Sequence, residues 1–398
     1  MNKINKLLIT IDGVRKDRVG FYNKRNIYIT PNLSKIAKES VVFNDMFACG
    51  TSTAMCFASL FNGQYQKDFQ RKNFGDNNNP YKSNIFTDLE NRGYKTFICL
   101  NKRFEYPLKL INTIGRNTKI WWTGEKNKKN KSIGSLRPLE QVKYISTNLK
   151  KIKDPYFLWV HLWGFSAPKK KFTLSTSTDY DARVKEMDEA IGYIFKQFKK
   201  NTEMFFFSDH GYALFEKNKW AYGKDAGNLV GSVTNVPTII YNGKNIGINN
   251  NLVSQTNIRK LINNSSEALK LKSEFAYCES RYIEEYDIAL AIRYKNFKYI
   301  IEYNKRKSQL YDVMTDPDEN INLISNKINK LKRDKFGNHP EIKPYIIRYD
   351  WAQIEIIYKK LDNIAKNFYD FSSIPNNIKM KNFIKSSKLY FIYKKFFN

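Results

Sequence analysis

The chain has 398 residues, 42% hydrophobic and 15% aromatic, which is enough apolar side chain for a large core and excludes a chain disordered over most of its length. A formal net charge of +30, from 68 Lys and Arg against 38 Asp and Glu, directs attention to anionic partners; no nucleic-acid recognition motif accompanies it, and nucleic acid is not expected as a partner. The four cysteines are too few for a disulfide scaffold, and neither a cleavable leader nor an apolar run of ~20 residues is seen, so a cytoplasmic protein is expected.

In chain order, KLLITI (6–11) followed by Asp12-Gly13 predicts a buried strand ending in a turn, and YKTFICL (94–100), YFLWVHL (156–162) and EMFFFS (203–208) repeat the pattern. LSKIAKES (33–40) and VKEMDEAIGYIFKQF (184–198) have helical apolar spacing. Strands alternating with helices imply an α/β fold, a mainly parallel central sheet with helices on both faces. From about 256 to 323 the pattern changes to short strands, FAYCES (275–280), ALAIRY (289–294) and KYIIEY (298–303), which predict a small C-terminal antiparallel subdomain. The expected division is a catalytic core over 1–255, a subdomain completing the fold over 256–335, and a basic aromatic helical tail over 336–398, with helical spacing at 349–368. In that tail Lys379, Lys381, Lys385, Lys388, Lys394 and Lys395 alternate with aromatic residues. Such a pattern suits peripheral contact with an anionic membrane, here the inner face.

Ligands of open α/β sheets bind beyond the carboxyl ends of the strands. Asp12 follows the first strand, and Asp209-His210 follows the Phe-rich one; together they form an oxygen and nitrogen donor set suited to a divalent ion, zinc or manganese before calcium or magnesium. Of three histidines, His161 and His210 both lie at strand ends. The segment CGTSTAMCFASLFNG (49–63) reads as a short helix stopped by Gly63. Thr53 then lies near a helix N-terminus, where the dipole favours a bound anion and an ionised oxygen.

The ordered series IDGVRKDRVGFYN (11–23), TPNLSKIAKESVVFNDMFA (30–48), the threonine segment, HLWGFSAP (161–168), DYDARVKEMDEAIG (179–192), SDHG (208–211), VPTIIY (236–241) and LYDVMTDPDENINL (310–323) resembles the alkaline phosphatase/sulfatase superfamily over roughly residues 5–325. The resemblance implies an alkaline phosphatase-like fold, metal ligation by Asp12, Asp209, His210 and Thr53, and catalytic roles for Thr53, Arg15 and His161. It leaves Lys224, Asn101 and Ser166 to bind substrate, Ser166 standing where relatives often carry a second histidine. Sulfatases carry at the nucleophile position a Cys or Ser that becomes formylglycine, which a threonine cannot form; CGTSTA (49–54) is closest in nucleophile type to phosphoethanolamine transferases. The expectation is therefore cleavage or transfer of an anionic phosphate ester, on a cell-surface glycan or lipid precursor. The alternatives are a sulfuric ester hydrolase, including one with a formylglycine at Cys56, and an inactive binding protein that keeps the fold.

Overall fold

The computed structural model describes residues 3–69, 83–104, 114–123, 137–152, 155–163, 177–214, 229–282, 285–303, 307–325 and 351–368. Eight strands form the main sheet: β1 (Asn5–Ile11), β2 (Val41–Phe47), β3 (Lys95–Asn101), β4 (Lys119–Thr123), β5 (Tyr156–Leu162), β6 (Thr202–Ser208), β7 (Thr238–Tyr241) and β8 (Gly247–Ser254). Their order is β4-β3-β5-β1-β6-β7-β2-β8, with β1 inside the sheet between β5 and β6. Every neighbouring pair is parallel except those made by β7, which runs antiparallel to both β6 and β2.

The strands read as unbroken apolar runs because both faces of the sheet are covered. Side chains alternate between faces along a strand. Leu8, Phe157, Trp159, Phe205 and Phe207 accordingly pack on one side with residues of α2 (Thr53–Asn62), α3 (Ile85–Asn91) and a short helix, Ile258–Asn263. On the other side Leu7, Ile9, Leu158, Val160, Met204 and Phe206 meet α1 (Pro31–Ala37), Pro138–Leu149 and the long helix Ser177–Phe198. That last helix begins seven residues before the predicted start at 184, because apolar periodicity marks only its buried face.

A second, four-stranded antiparallel sheet has the order β12-β11-β10-β9, built from β9 (Phe275–Tyr282), β10 (Glu285–Tyr294), β11 (Phe297–Glu302) and β12 (Lys307–Asp312). One face gives Ala276, Cys278, Ala289, Ala291, Ile300 and Tyr311 to the main core. The other face, Leu290, Ile292, Tyr299, Ile301 and Leu310, is closed by Ile354, Leu361, Ala365 and Phe368 of and just beyond the helix Trp351–Lys366. The helical part of the predicted tail is thus a lid on the small sheet; its basic remainder, 369–398, lies outside the described residues. Among the described residues no helix is long and apolar enough to cross a membrane.

Candidate active site

The site follows from strand parity. Thr10 pairs in register with His161, and Ile11 with both Leu162 and Ser208, so Asp12 and Asp209 leave adjacent strands one step later at the same level. The ladder continues past the strand ends, through Asp12 N–H to the Leu162 carbonyl at 3.1 Å and Asp209 N–H to the Ile11 carbonyl at 3.3 Å. Asp12 shares a face with Leu8, His161 with Trp159 and Asp209 with Phe207, and that is the face covered by α2. Thr53 is the first residue of α2, after Ser52 in extended conformation, and Gly63 ends the helix at φ 68°.

All four groups converge. Ligand atoms of Asp12, His161 and Asp209 lie within 4.8 Å of one another, and the three residues are buried. Both oxygens of Asp12, Oδ2 of Asp209 and Nε2 of His161 are buried without a hydrogen-bond partner in the structure. Thr53 Oγ1 stands 3.4 Å from His210 Nε2, which is 3.6 Å from Asp209 Oδ2. His210 Nδ1 is 2.8 Å from the Gly211 carbonyl; a carbonyl can only accept, so Nδ1 carries a proton, and Nε2 faces Thr53 and Asp209.

Burial, and next the charge of Asp209, raise the Asp12 carboxyl to about 7 against the opposing pull of His210 and the Thr53 hydroxyl, which lies beside it without regular hydrogen-bond alignment. Burial holds the His161 ring low, at about 4, so its imidazole is neutral at physiological pH. Two enclosed carboxylates and a neutral imidazole with unmatched lone pairs, beside a hydroxyl, are donors of the kind that suit a divalent cation. The residues present fit that group. The structure groups His161, for which the sequence pointed to a catalytic role, with Asp12 and Asp209, and sets the other two expected ligands, His210 and Thr53, beside them.

Backbone contacts hold the cluster rigid. Asp209 Oδ1 accepts N–H bonds from Gly13 at 3.0 Å and His210 at 2.8 Å. Ser208 Oγ accepts from Val14 N–H at 2.7 Å, and Tyr180 Oη donates to the Gly13 carbonyl at 2.7 Å while accepting from Arg15 N–H at 2.8 Å. Arg15 forms a two-pronged pair with Asp17 at 2.8 and 2.9 Å and donates to the Tyr212 carbonyl at 3.2 Å, an arrangement that braces the turn after β1. Asn101 is buried at the end of β3, and the Lys102 ammonium sits 4.8 Å from the Trp122 ring centre. Ser166 and Lys224 lie outside the described residues. Sequence reasoning missed Gln255, whose side chain spans two loops of the site; nothing in its own neighbourhood marks it.

The sulfatase family model matches residues 4–259. The chain belongs to the sulfatase family. Within the alkaline phosphatase/sulfatase superfamily, an arylsulfatase of Clostridium perfringens (strain 13 / Type A) is 31% identical over 106 residues, 26% of this chain and 22% of that protein. The matched stretch thus spans about a fifth of that relative's length. Among solved structures, the phosphonate monoester hydrolase of Agrobacterium radiobacter superposes with a TM-score of 0.62 at 17% identity, covering 84% of this chain and 94% of that one. A 2-O GAG sulfatase gives 0.62 at 14% identity over 87% and 92%. A further structure, in complex with D-glucosamine-2-N,6-O-disulfate, gives 0.60 at 15% identity over 84% and 96%. These likenesses establish the alkaline phosphatase-like fold of this sulfatase-family chain.

Proposed function

We propose that this sulfatase-family chain is a metal-dependent enzyme that cleaves or transfers an anionic phosphate ester through Thr53. The observation that carries the reading is the convergence of unpartnered, buried Asp12, Asp209 and His161 atoms beside the Thr53 hydroxyl at the start of α2. Asp12, Asp209 and His161 would hold a divalent ion, with His210 and Thr53 on its open side; when bound, it would neutralise ester oxygens and ease ionisation of the hydroxyl.

The chain's own groups account for the remaining steps. The Thr53 Oγ1–phosphorus bond forms as the bond to the leaving oxygen breaks; the leaving oxygen takes its proton from solvent, and the Thr53 proton passes to His210 Nε2, which faces it and accepts it with the ring in its Nδ1–H form. The positive end of the α2 dipole offsets charge developing on the phosphoryl oxygens. Water or an acceptor hydroxyl then takes the group from Thr53 and releases its own proton to solvent, while the proton on His210 returns to the threonine oxygen. Burial of Asp12, Asp209 and His161 keeps bulk water from competing for those groups.

The second reading, a sulfate ester, is favoured by the family match and by relatives that carry the name sulfatase. Two observations weigh against its usual chemistry. Thr53 cannot become formylglycine, and Cys56 is fully buried inside α2, its thiol pushed well above the usual range by burial and the neighbouring Cys49. The test compares aryl phosphate diesters, phosphate monoesters and sulfate esters with and without added Mn²⁺ or Zn²⁺. Metal-dependent phosphodiester turnover, with a phosphoryl-type mass increment on the peptide containing Thr53 and none in Thr53→Ala, is expected. Sulfate-ester turnover that survives Thr53→Ala would overturn the reading.

A further inference from the structure

The nucleophile and the carboxylate reach the site on different elements. Thr53 arrives on the loop after β2, and Asp209 on the loop after β6. Between those strands lies β7 alone, antiparallel to both. It begins at the edge where its neighbours end, and therefore sends no exit loop into the gap between them. Backbone bonds close part of that gap, Ala48 N–H to the Thr234 carbonyl at 2.7 Å and Ser208 N–H to the Pro237 carbonyl at 3.2 Å. One side chain crosses it from the far edge of the sheet. Gln255, the residue after β8, is 0% exposed. Its Oε1 accepts from Cys49 N–H at 3.3 Å and lies 3.4 Å from Cys49 Sγ, while its Nε2 donates to the Ser208 carbonyl at 2.8 Å.

We infer that Gln255 is a positioning residue that sets the distance between the Thr53 hydroxyl and the Asp209–His210 pair. Cys49 is the residue from which the nucleophile loop departs, and Ser208 immediately precedes Asp209. A primary amide meets both ends at once, because it offers an acceptor to a peptide N–H and a donor to a peptide carbonyl on a single plane. No other neutral side chain of that length does so. Ser208 passes the constraint on: its carbonyl is held by Gln255 while its hydroxyl contacts the Ile11 and His210 carbonyls and accepts from Val14 N–H, so β6, β1 and the Asp12 turn are fixed to one point. Loss of the amide leaves Asp12, His161 and Asp209 together, since their own contacts do not pass through Gln255. What changes is where Thr53 sits relative to them. A misplacement of about 1 Å at a reacting atom can cost about 100-fold in rate.

This inference rests on the reading of Thr53 as nucleophile, and its test separates the two. Gln255→Met keeps volume and removes both bonds; Gln255→Glu keeps the acceptor for Cys49 N–H. For the aryl phosphodiester, kcat of Gln255→Met should fall by about tenfold or more, with KM and the Mn²⁺ dissociation constant each within about threefold of wild type. Gln255→Glu should recover part of the loss. Amide exchange read by mass spectrometry should accelerate in the peptide spanning residues 46–57 and stay unchanged in that spanning 5–11. Unchanged kcat together with unchanged exchange at 46–57 would overturn the inference, as would exchange accelerating equally in both peptides, the mark of general loosening. If the wild type turns over no ester, the reading of Thr53 falls. The exchange comparison then still decides whether Gln255 holds the two loops together.

Discussion

At the scale of single residues, the most informative feature is a cost. Two carboxylates enclosed side by side lack the water that would stabilise them and also repel each other, which is why Asp12 is raised to about 7. Replacing one carboxylate with a neutral amide should therefore stabilise the metal-free protein while removing its capacity for metal. For Asp12→Asn we expect the thermal midpoint in chelator to rise by a few degrees at pH 8 and added Mn²⁺ to give no further rise, whereas the wild type gains with Mn²⁺ by mass action. A lower midpoint for Asp12→Asn in chelator would show that the carboxylate has structural partners of its own. The same scale sets the limit of what the sequence conveys. Asp12, Asp209 and His210 stand at the ends of apolar runs, and their position alone suggests a role. Gln255 is an isolated amide whose meaning lies in contacts with Cys49 and Ser208, 206 and 47 residues away, and no local pattern encodes such contacts.

At the scale of elements, legibility follows burial. The four buried strands predicted for the main sheet are present, β5 with the predicted bounds of 156–162, because two covered faces make an uninterrupted apolar run. β2, β4, β7 and β8 carry no strand expectation: Asn44-Asp45 interrupts the apolar run of β2, β7 has four residues, and β4 and β8 lie at the sheet edges, where GINNNLVS has few buried apolar positions and its pairing with β2 supplies what its composition does not. The turn after β6 is just as dependent on surroundings. Gly211 N–H bonds the Val233 carbonyl at 2.8 Å, and a Cβ placed on Gly211 would lie 1.9 Å from the Ser232 carbonyl oxygen. That oxygen belongs to backbone and cannot swing aside, so Gly211→Ala must displace the Asp209–His210 turn. Mn²⁺ affinity measured by calorimetry should weaken by about tenfold or more. Gly63→Ala makes the companion case. There φ is 68° and the nearest obstacle is Arg259 Cδ at 3.3 Å, so the cost is about 1 kcal/mol of stability, read by urea unfolding, with metal affinity unchanged.

At the scale of the whole molecule, the small sheet is tied to the site by a buried ion pair. Lys298 of β11 and Glu319 are 1% and 2% exposed and meet at 2.7 Å; the ammonium also donates to Thr234 Oγ1 at 3.0 Å. Thr234 ends the single helical turn Gly231–Thr234, whose Ser232 and Val233 carbonyls hold the backbone N–H groups of Tyr212 and Gly211, and its own carbonyl holds Ala48 ahead of the nucleophile loop. One contact from the second sheet therefore bears on both the Asp209–His210 turn and the approach to Thr53. Burial lowers the Lys298 ammonium and Glu319 opposes that shift, so the pair holds its charges only while both members are present. Lys298→Met leaves Glu319 buried without its cation and should cost about 3–5 kcal/mol in urea unfolding. Lys298→Met/Glu319→Leu removes the charge along with its partner and should recover most of that loss. The two variants separate charge from position. If the pair acts on the site through Thr234, the double variant returns in stability yet keeps a reduced kcat, because Thr234 Oγ1 still lacks its donor. A double variant as active per folded molecule as the wild type would confine the pair to stability and leave the site to the main sheet alone.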